Sequence, residues 1–207
     1  MPHDWPALCI GVIVGAYWAR VLKLALKQRR QSGHAANFLP PEPLGRALRL
    51  IWIPVVALWI GLPFVAAWHP RGPHPFALLY EMTGLRWSAV AVALAALIVT
   101  LLCWKRMGKS WRMGINPAEK TQLIVSGPYS YVRHPIYALS SLLVIASAVA
   151  VPTILMICVA LVHCALLQWE ARREERYLLG VHGRAYATYL ASVGRFVPRS
   201  LGAQKHV

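Results

Sequence analysis

The chain has 207 residues, of which 57% are hydrophobic and only 14% are charged. This composition excludes an ordinary soluble domain and is typical of a protein with several membrane-spanning helices. The formal net charge of +15 would also suit a nucleic-acid-binding protein. The basic residues, however, gather at the ends of apolar segments, where anionic lipid head groups attract them. We therefore expect the bilayer, and not nucleic acid, as the partner of this charge.

Five apolar segments predict an all-α integral membrane protein with about five transmembrane helices. In chain order they cover residues 7–26, 50–68, 87–104, 136–151 and 153–169, and each approaches the ~20 residues that cross a bilayer. The last two segments meet at Val151 and Pro152 without room for a loop, so they are expected to form a carboxy-terminal helical hairpin. The first segment precedes its basic residues, which is the opposite of a signal peptide, and is interpreted as a retained anchor.

The distribution of basic residues predicts the orientation of the chain. Lysine and arginine are concentrated in residues 20–30, 46–49, 105–112 and 172–199, whereas the segment between the second and third helices has few of them. The positive-inside rule then places the amino terminus outside and the carboxyl terminus in the cytoplasm. We expect an inner or plasma membrane protein whose active site faces the cytoplasm.

The sequence predicts no metal site. The four cysteines lie inside apolar segments without the spacing of metal ligands, and we interpret them as buried thiols. His69 and His74 lie in a proline-rich loop that is expected to be external and irregular. Without a third ligand nearby, a solvated loop is the preferred interpretation of the two histidines.

A polar, aromatic-rich turn, Ser126-Gly-Pro-Tyr-Ser-Tyr-Val-Arg-His-Pro-Ile-Tyr137, leads directly into the fourth helix. Pro135 suits the first position of a helix, and His134 before it is expected to be extended. Arg133 and the free N–H groups of residues 136–138 would favour an anion at this helix start. The alternative is that these side chains only mark the membrane interface.

A second polar cluster, Glu170-Ala-Arg-Arg-Glu-Glu-Arg-Tyr177, follows the fifth apolar segment. Its glutamates are three of only seven acidic residues in the chain, and they could simply pair with neighbouring arginines. If the hairpin brings both clusters to one membrane face, they suit a zwitterionic ligand. Residues 183–198 are expected to form an irregular aromatic tail that closes over it.

Three motifs in the carboxy-terminal half resemble the isoprenylcysteine carboxyl methyltransferase family. They are Gly127-Pro-Tyr-x-x-Val-Arg-His-Pro-x-Tyr137, Glu174-Glu-x-x-Leu-x-x-x-x-Gly-x-x-Tyr-x-x-Tyr189 and Arg195-Phe-x-Pro198. The resemblance covers roughly residues 105–199 and extends to a wider group of membrane methyltransferases that includes phospholipid N-methyltransferases. Leu139 stands where the family usually has glycine, and His182-Gly183 where it usually has Phe-Gly.

The resemblance implies S-adenosylmethionine as the cofactor. The positions that would bind it are Arg133, His134, Pro135, Tyr137, Glu170, Glu174, Glu175, Tyr186, Tyr189 and Arg195. Those that would take part in catalysis are Arg133, His134, Tyr137 and Glu174. Arg133 and the helix start would hold the methionine carboxylate, a glutamate of the second cluster would take the ammonium group or the ribose hydroxyls, and the tyrosines would pack on the adenine. No metal is implied.

The expected reaction is methyl transfer to a membrane lipid, with N-methylation of a phospholipid amine such as phosphatidylethanolamine preferred. The alternative is carboxyl O-methylation of prenylcysteine or a similar lipidated acid. Two other classes stay open: an NADPH-dependent reductase of the sterol type, and a non-catalytic membrane module. Within one compact domain, residues 1–104 are expected to be a three-helix scaffold and residues 105–207 the catalytic region. The sequence does not identify protein partners.

Overall fold

A computed structural model describes residues 3–32, 43–70, 72–107 and 123–199. Its helices, in chain order, are α1 (Trp5–Ser32), α2 (Pro43–Trp68), α3 (Thr83–Met107), α4 (Pro135–Ala150) and α5 (Ile154–Ser192). The described residues contain no strand, only a single bridge between Val132 and Gly194. The predicted all-α membrane architecture is confirmed. The connector before Pro43 and most of the basic segment 105–112 lie outside the described residues.

The helix lengths fit a bilayer. Four helices, α1, α2, α3 and α5, are long and apolar enough to cross a membrane, and α4 is a shorter apolar helix of 16 residues. The three-residue connection from α4 to α5 confirms the predicted hairpin. Pro54 and Pro63 lie inside α2, as is tolerated in membrane helices where neighbouring groups satisfy the freed carbonyls.

The core is built from small and aromatic side chains. The buried residues of α3 and α4 are mostly small, which lets two membrane helices approach closely; they include Ala89, Ala93, Ala96, Ala146, Ser147 and Ala150. In the same core the indole N–H of Trp59 donates to Ser147 Oγ at 3.0 Å, and Ser140 Oγ lies 3.0 Å from His163 Nε2. These polar contacts join α2, α4 and α5 at membrane depth.

A buried ion pair fastens the helix ends on the predicted outer side. Arg86 Nη2 lies 2.7 Å from Asp4 Oδ1, and Arg86 Nε donates to the carbonyl of Ala150 at the end of α4. Asp4 also caps α1 by accepting from the N–H of Ala7, which satisfies a donor that the helix leaves unpaired. Neither Asp4 nor Arg86 was recognised as important from sequence.

Two expectations about local structure are wrong. Residues 183–198 were expected to be an irregular tail, but α5 only bends at Gly183 and continues to Ser192, so most of this segment is helical. Of the four cysteines only Cys103 is buried, while Cys158 is exposed. The side chain of Cys158 is apolar enough to face lipid tails. The expectation of a buried thiol took only burial within the protein into account.

Candidate active site

The turn before α4 has much of the local structure that its sequence predicts. Gly127 adopts a positive φ of 65°, which a residue without Cβ reaches without strain, and a 3₁₀ turn follows over Gly127–Ser130. Pro135 is the first residue of α4, and His134 before it has φ −125° and ψ 67°. His134 is therefore outside the helical region, but its ψ is smaller than that of extended backbone, so the expectation that it is extended is wrong.

The end of the chain runs beside this turn. The N–H of Arg133 donates to the carbonyl of Gly194 at 2.8 Å, and the N–H of His134 donates to the carbonyl of Arg195 at 3.1 Å. A Cβ at position 194 would lie 1.9 Å from the carbonyl oxygen of Val197. Only glycine fits there, and the segment that follows α5 is thereby held against the start of α4.

Glu175 is the centre of a buried ion network that joins α5, the turn and the last segment. Arg133 donates to its carboxylate through Nε at 3.0 Å and Nη2 at 2.9 Å. Arg195 donates to it through Nε at 2.9 Å and Nη2 at 2.5 Å. The remaining Nη1 group of Arg133 donates to the carbonyls of Leu190 and Val193. The guanidinium of Arg133 is thus largely bound within the protein.

His134 lies between two carboxylates. Its Nδ1 is 3.5 Å from Glu174 Oε2, and its Nε2 is 3.4 Å from Glu175 Oε1 without the alignment of a hydrogen bond. Burial alone lowers the pKa of His134, but the two glutamates outweigh burial, so its pKa is raised above the usual 6.5. The imidazole stacks on Tyr137, with ring centres 5.3 Å apart, and meets the edge of Phe196 at 6.2 Å.

The three glutamates of the second cluster have different surroundings. Glu170 pairs with Arg173 at 2.9 Å on its own helix, as the simpler interpretation of local pairing expected. Glu174 interacts with His134 and Tyr137, and its side chain is 33% exposed. The Glu175 side chain is only 6% exposed. Glu174 is therefore the glutamate best placed to contact a ligand.

Tyr186 and Tyr189 are buried beyond the bend of α5. The hydroxyl of Tyr189 donates to the carbonyl of Tyr129 at 2.6 Å and so ties α5 to the turn. Among the described residues, the buried hydroxyl of Tyr186 has no hydrogen-bond partner. A buried hydroxyl without a partner is costly, so this atom is available to a polar group of a bound ligand.

The structure brings the two polar clusters together, but fewer backbone N–H groups are free at the start of α4 than expected. The N–H of Ala138 donates to the carbonyl of His134 at 3.0 Å, so it is already bound and the expectation that it is free is wrong. No group of three histidine, cysteine or acidic residues in the described ranges is arranged to hold a metal ion.

One residue near the site was missed in the sequence. Arg49, on α2, lies near Tyr137 and is attracted by the charge of Glu170, although it belongs to the half of the chain expected to be scaffold. In the sequence Arg49 was counted only with the basic residues 46–49, because its contact with the site depends on how α2 packs against α5.

Comparison with known proteins supports the resemblance. Residues 89–180 match the model of the isoprenylcysteine carboxyl methyltransferase (ICMT) family, which indicates a membrane methyltransferase. The match begins within α3 and includes Arg133, His134, Tyr137 and the three glutamates; the later positions Tyr186, Tyr189 and Arg195 lie beyond it. No curated protein and no solved structure is found to match the chain.

Proposed function

We propose that this protein transfers a methyl group from S-adenosylmethionine to a carboxylate carried by a membrane lipid, such as a prenylcysteine. The observation that carries the proposal is the meeting of Arg133 and His134 with Glu174 and Glu175 inside the segment that resembles a carboxyl methyltransferase family. This assignment replaces the phospholipid amine that the sequence alone favoured.

The residues present fit the proposed cofactor. S-adenosylmethionine supplies a methyl group already activated on a sulfonium, so the protein mainly has to bind, orient and exclude water. The partly exposed carboxylate of Glu174 suits its ammonium group or ribose hydroxyls. Two buried polar atoms, Tyr186 Oη and His134 Nε2, have no hydrogen-bond partner among the described residues, although His134 Nε2 lies 3.4 Å from Glu175 Oε1, and both offer further contacts.

Arg133, Arg195 and Glu175 have a positioning role in this proposal. Because the guanidinium of Arg133 is bound to Glu175 and to two carbonyls, it orients the turn instead of holding the methionine carboxylate directly. Tyr189 acts in the same way through Tyr129. Pro135 fixes the start of α4, and Glu170 lies at the edge of the site with Arg173.

The needs of the two acceptors favour a carboxylate over an amine. A lipid amine is mostly protonated near neutral pH and needs a base, whereas a carboxylate is already able to attack. Glu174 and Glu175 raise the pKa of His134, and carboxylate methylation does not require His134 to accept a proton. The partly exposed Glu174 could still attract a cationic amine, and this keeps amine methylation as the second candidate.

Ligand binding tests the class of enzyme. We expect S-adenosylhomocysteine, and not NADPH, to bind the detergent-purified full-length protein in calorimetry. Binding of NADPH alone would point to a reductase instead, and binding of neither would point to a non-catalytic module. Mass spectrometry of lipids after expression then identifies the acceptor.

The pH dependence of a single turnover separates the two acceptors. At saturating cofactor, with chemistry limiting, methyl transfer to a carboxylate should be flat from about pH 6 to 9. Transfer to an amine should rise with pH by up to ~10-fold per unit below the controlling pKa. A rising profile would contradict the carboxylate assignment.

The location of the reaction is also part of the proposal. The positive-inside rule supports an inner or plasma membrane protein with an external amino terminus and a cytoplasmic site. Residues 105–207 would supply the catalytic region and residues 1–104 the scaffold, with Arg49 as a contribution of the scaffold to the site.

A further inference from the structure

Arg49 is a half-buried cation at the predicted cytoplasmic end of α2. Its guanidinium lies over the ring of Trp52, 4.8 Å from the ring centre. This stacking uses the flat face of the guanidinium and leaves the N–H donors at its edge. In the part of the chain that the structure describes, no group accepts a hydrogen bond from Arg49.

An apolar groove begins one helical turn below Arg49, between α1 and α2. It has a volume of about 180 Å³ and is lined by Trp18, Val21, Leu22, Trp52, Ile53 and Val56. Leu22 and Ile53 are more than half exposed, so the groove opens towards the hydrocarbon of the bilayer. Its volume is below the ~300–1,000 Å³ of pockets that enclose whole small ligands, and it suits part of a lipid chain.

The upper end of this groove adjoins the candidate active site. Arg49 lies near Tyr137 at the start of α4. Its charge is attracted by Glu170 and repelled by Arg173, whose own guanidinium is bound to Glu170. From Arg49 to Val56, α2 rises about 10 Å. A single-chain lipid bound along this path would therefore place its head beside the start of α4 and its chain within the membrane.

We propose that Arg49 and the groove between α1 and α2 bind the acceptor lipid, with its carboxylate at Arg49 and its chain against Trp18 and Trp52. The inference rests on the proposed function, because it assigns the binding site of the methyl acceptor. A planar guanidinium matches a carboxylate through two parallel hydrogen bonds. Because the groove of about 180 Å³ suits part of one chain, the proposed partner is a single-chain lipid acid.

The unmodified protein provides the first test. Stearate carrying two bromine atoms in the middle of its chain should quench tryptophan fluorescence in a saturable way, since Trp18 and Trp52 line the groove. Its methyl ester, which lacks the charge, should need about ten- to a hundredfold more lipid for half-saturation. Equal quenching by acid and ester would overturn the proposal.

Matched variants provide the second test. Arg49→Gln should weaken quenching by the brominated acid at least about tenfold, whereas Arg46→Gln, an exposed arginine one turn earlier on α2, should not change it. Val56→Phe should reduce the saturable quenching by filling the groove, whereas Val92→Phe on the exposed face of α3 should not. Equal effects within either pair would contradict the site.

The quenching measurements need no cofactor, so they test the lipid site independently of the methyltransferase proposal. If S-adenosylhomocysteine fails to bind the unmodified protein, the proposed function is wrong, while the comparison of acid and ester still decides the lipid site. If S-adenosylhomocysteine binds and acid and ester quench equally, the lipid site is wrong and the proposed function stands. In an active enzyme, Arg49→Gln should raise KM for the lipid acid while S-adenosylhomocysteine affinity stays unchanged.

Discussion

Glu174 and Glu175 are adjacent in the sequence, but the register of α5 gives them different neighbours. Glu174 is partly exposed beside His134, whereas Glu175 is buried between Arg133 and Arg195. We expect Glu174→Gln to weaken S-adenosylhomocysteine binding by about 1.5–3 kcal/mol, or roughly ten- to a hundredfold, because a charge-assisted hydrogen bond is lost. Calorimetry measures the affinity, and a wild-type value in this variant would contradict the assignment of Glu174 to the cofactor.

Glu175→Gln should act first on stability. Removing one partner of a buried ion pair leaves the other charge uncompensated and costs about 3–5 kcal/mol, and here two arginines would lose their partner. We expect a lower thermal unfolding temperature for Glu175→Gln than for Glu174→Gln in the same detergent. Equal unfolding temperatures would show that the network around Glu175 does not hold the fold.

The charge on His134 predicts a pH dependence of stability. Because Glu174 and Glu175 raise the pKa of His134 above 6.5 in the folded protein, its contribution is fully present below that value. The contribution is lost as the pH rises through the higher folded-state pKa. We therefore expect the stability advantage of the wild type over His134→Gln to shrink as the pH rises from about 6.

Thermal unfolding of both proteins across this pH range measures the difference. An advantage that is constant, or that grows with pH, would mean that His134 is not held in its charged form by the glutamates.

The sequence predicted which residues form much of the site. It did not predict which of them face a ligand and which only position other residues. The motifs brought Arg133, His134 and the glutamates into one hypothesis, because polar groups at a membrane edge need partners. Whether Arg133 faces a ligand or Glu175 depends on how α5 is rotated and shifted against the turn, and no local pattern encodes that. Arg49 was missed for the same reason.

The bend of α5 at Gly183 is the main feature at the level of helices. Gly183 has φ 51° and ψ −122°, a positive-φ conformation that glycine reaches readily and that strains a residue with a Cβ by about 1–3 kcal/mol. Beyond the bend, Tyr186 and Tyr189 pack towards the turn before α4. We expect Gly183→Ala to lower the thermal stability and to weaken S-adenosylhomocysteine binding, because it strains the bend that positions both tyrosines.

Gly180→Ala is the matched control for this variant. Gly180 lies on the same helix without a positive φ, and an added Cβ would meet nothing within 4 Å. Alanine there should be neutral or should stabilise the helix by about 0.5–1 kcal/mol. If both alanine variants behave alike in unfolding and binding, the bend has no role in shaping the site.

The lengths of the apolar segments predicted the positions of the helices well, but they did not predict where α5 ends. Apolar segments of nearly membrane length give a clear signal, and α1 to α4 follow it. From Gly183 to Pro198 the chain contains glycines, aromatic residues and a proline, and this segment was interpreted as an irregular tail. The helix continues because Glu175, Tyr186 and Tyr189 pack on the turn before α4, a tertiary contact that hydropathy does not contain.

Different contacts hold the helices together at the two membrane faces of the molecule. On the predicted outer side, Asp4 and Arg86 connect α1, α3 and α4, and the N–H groups of His3 and Asp4 both donate to the carbonyl of Ala67 on α2. At the other end, the ion network of Glu175 joins the turn to the last segment. The outer contacts hold the helices together, and the candidate active site lies at the opposite end.

This asymmetry makes the orientation in the membrane the decisive property of the whole molecule. The basic residues flank the end that carries the candidate active site, so that end should face the cytoplasm. A cysteine introduced at His74, exposed in the loop between α2 and α3, should react in intact cells with a maleimide that cannot cross membranes. A cysteine at Ser126, exposed just before the turn of the site, should react only after the cells are opened.

The native cysteines should give little background in this experiment. Cys103 is buried, and Cys158 is exposed on the apolar part of α5, where a thiol in hydrocarbon does not form the reactive thiolate. The unmodified protein measures that background directly. Labelling of Ser126→Cys but not of His74→Cys in intact cells would invert the orientation. It would also place the candidate active site outside, away from a cytoplasmic supply of cofactor.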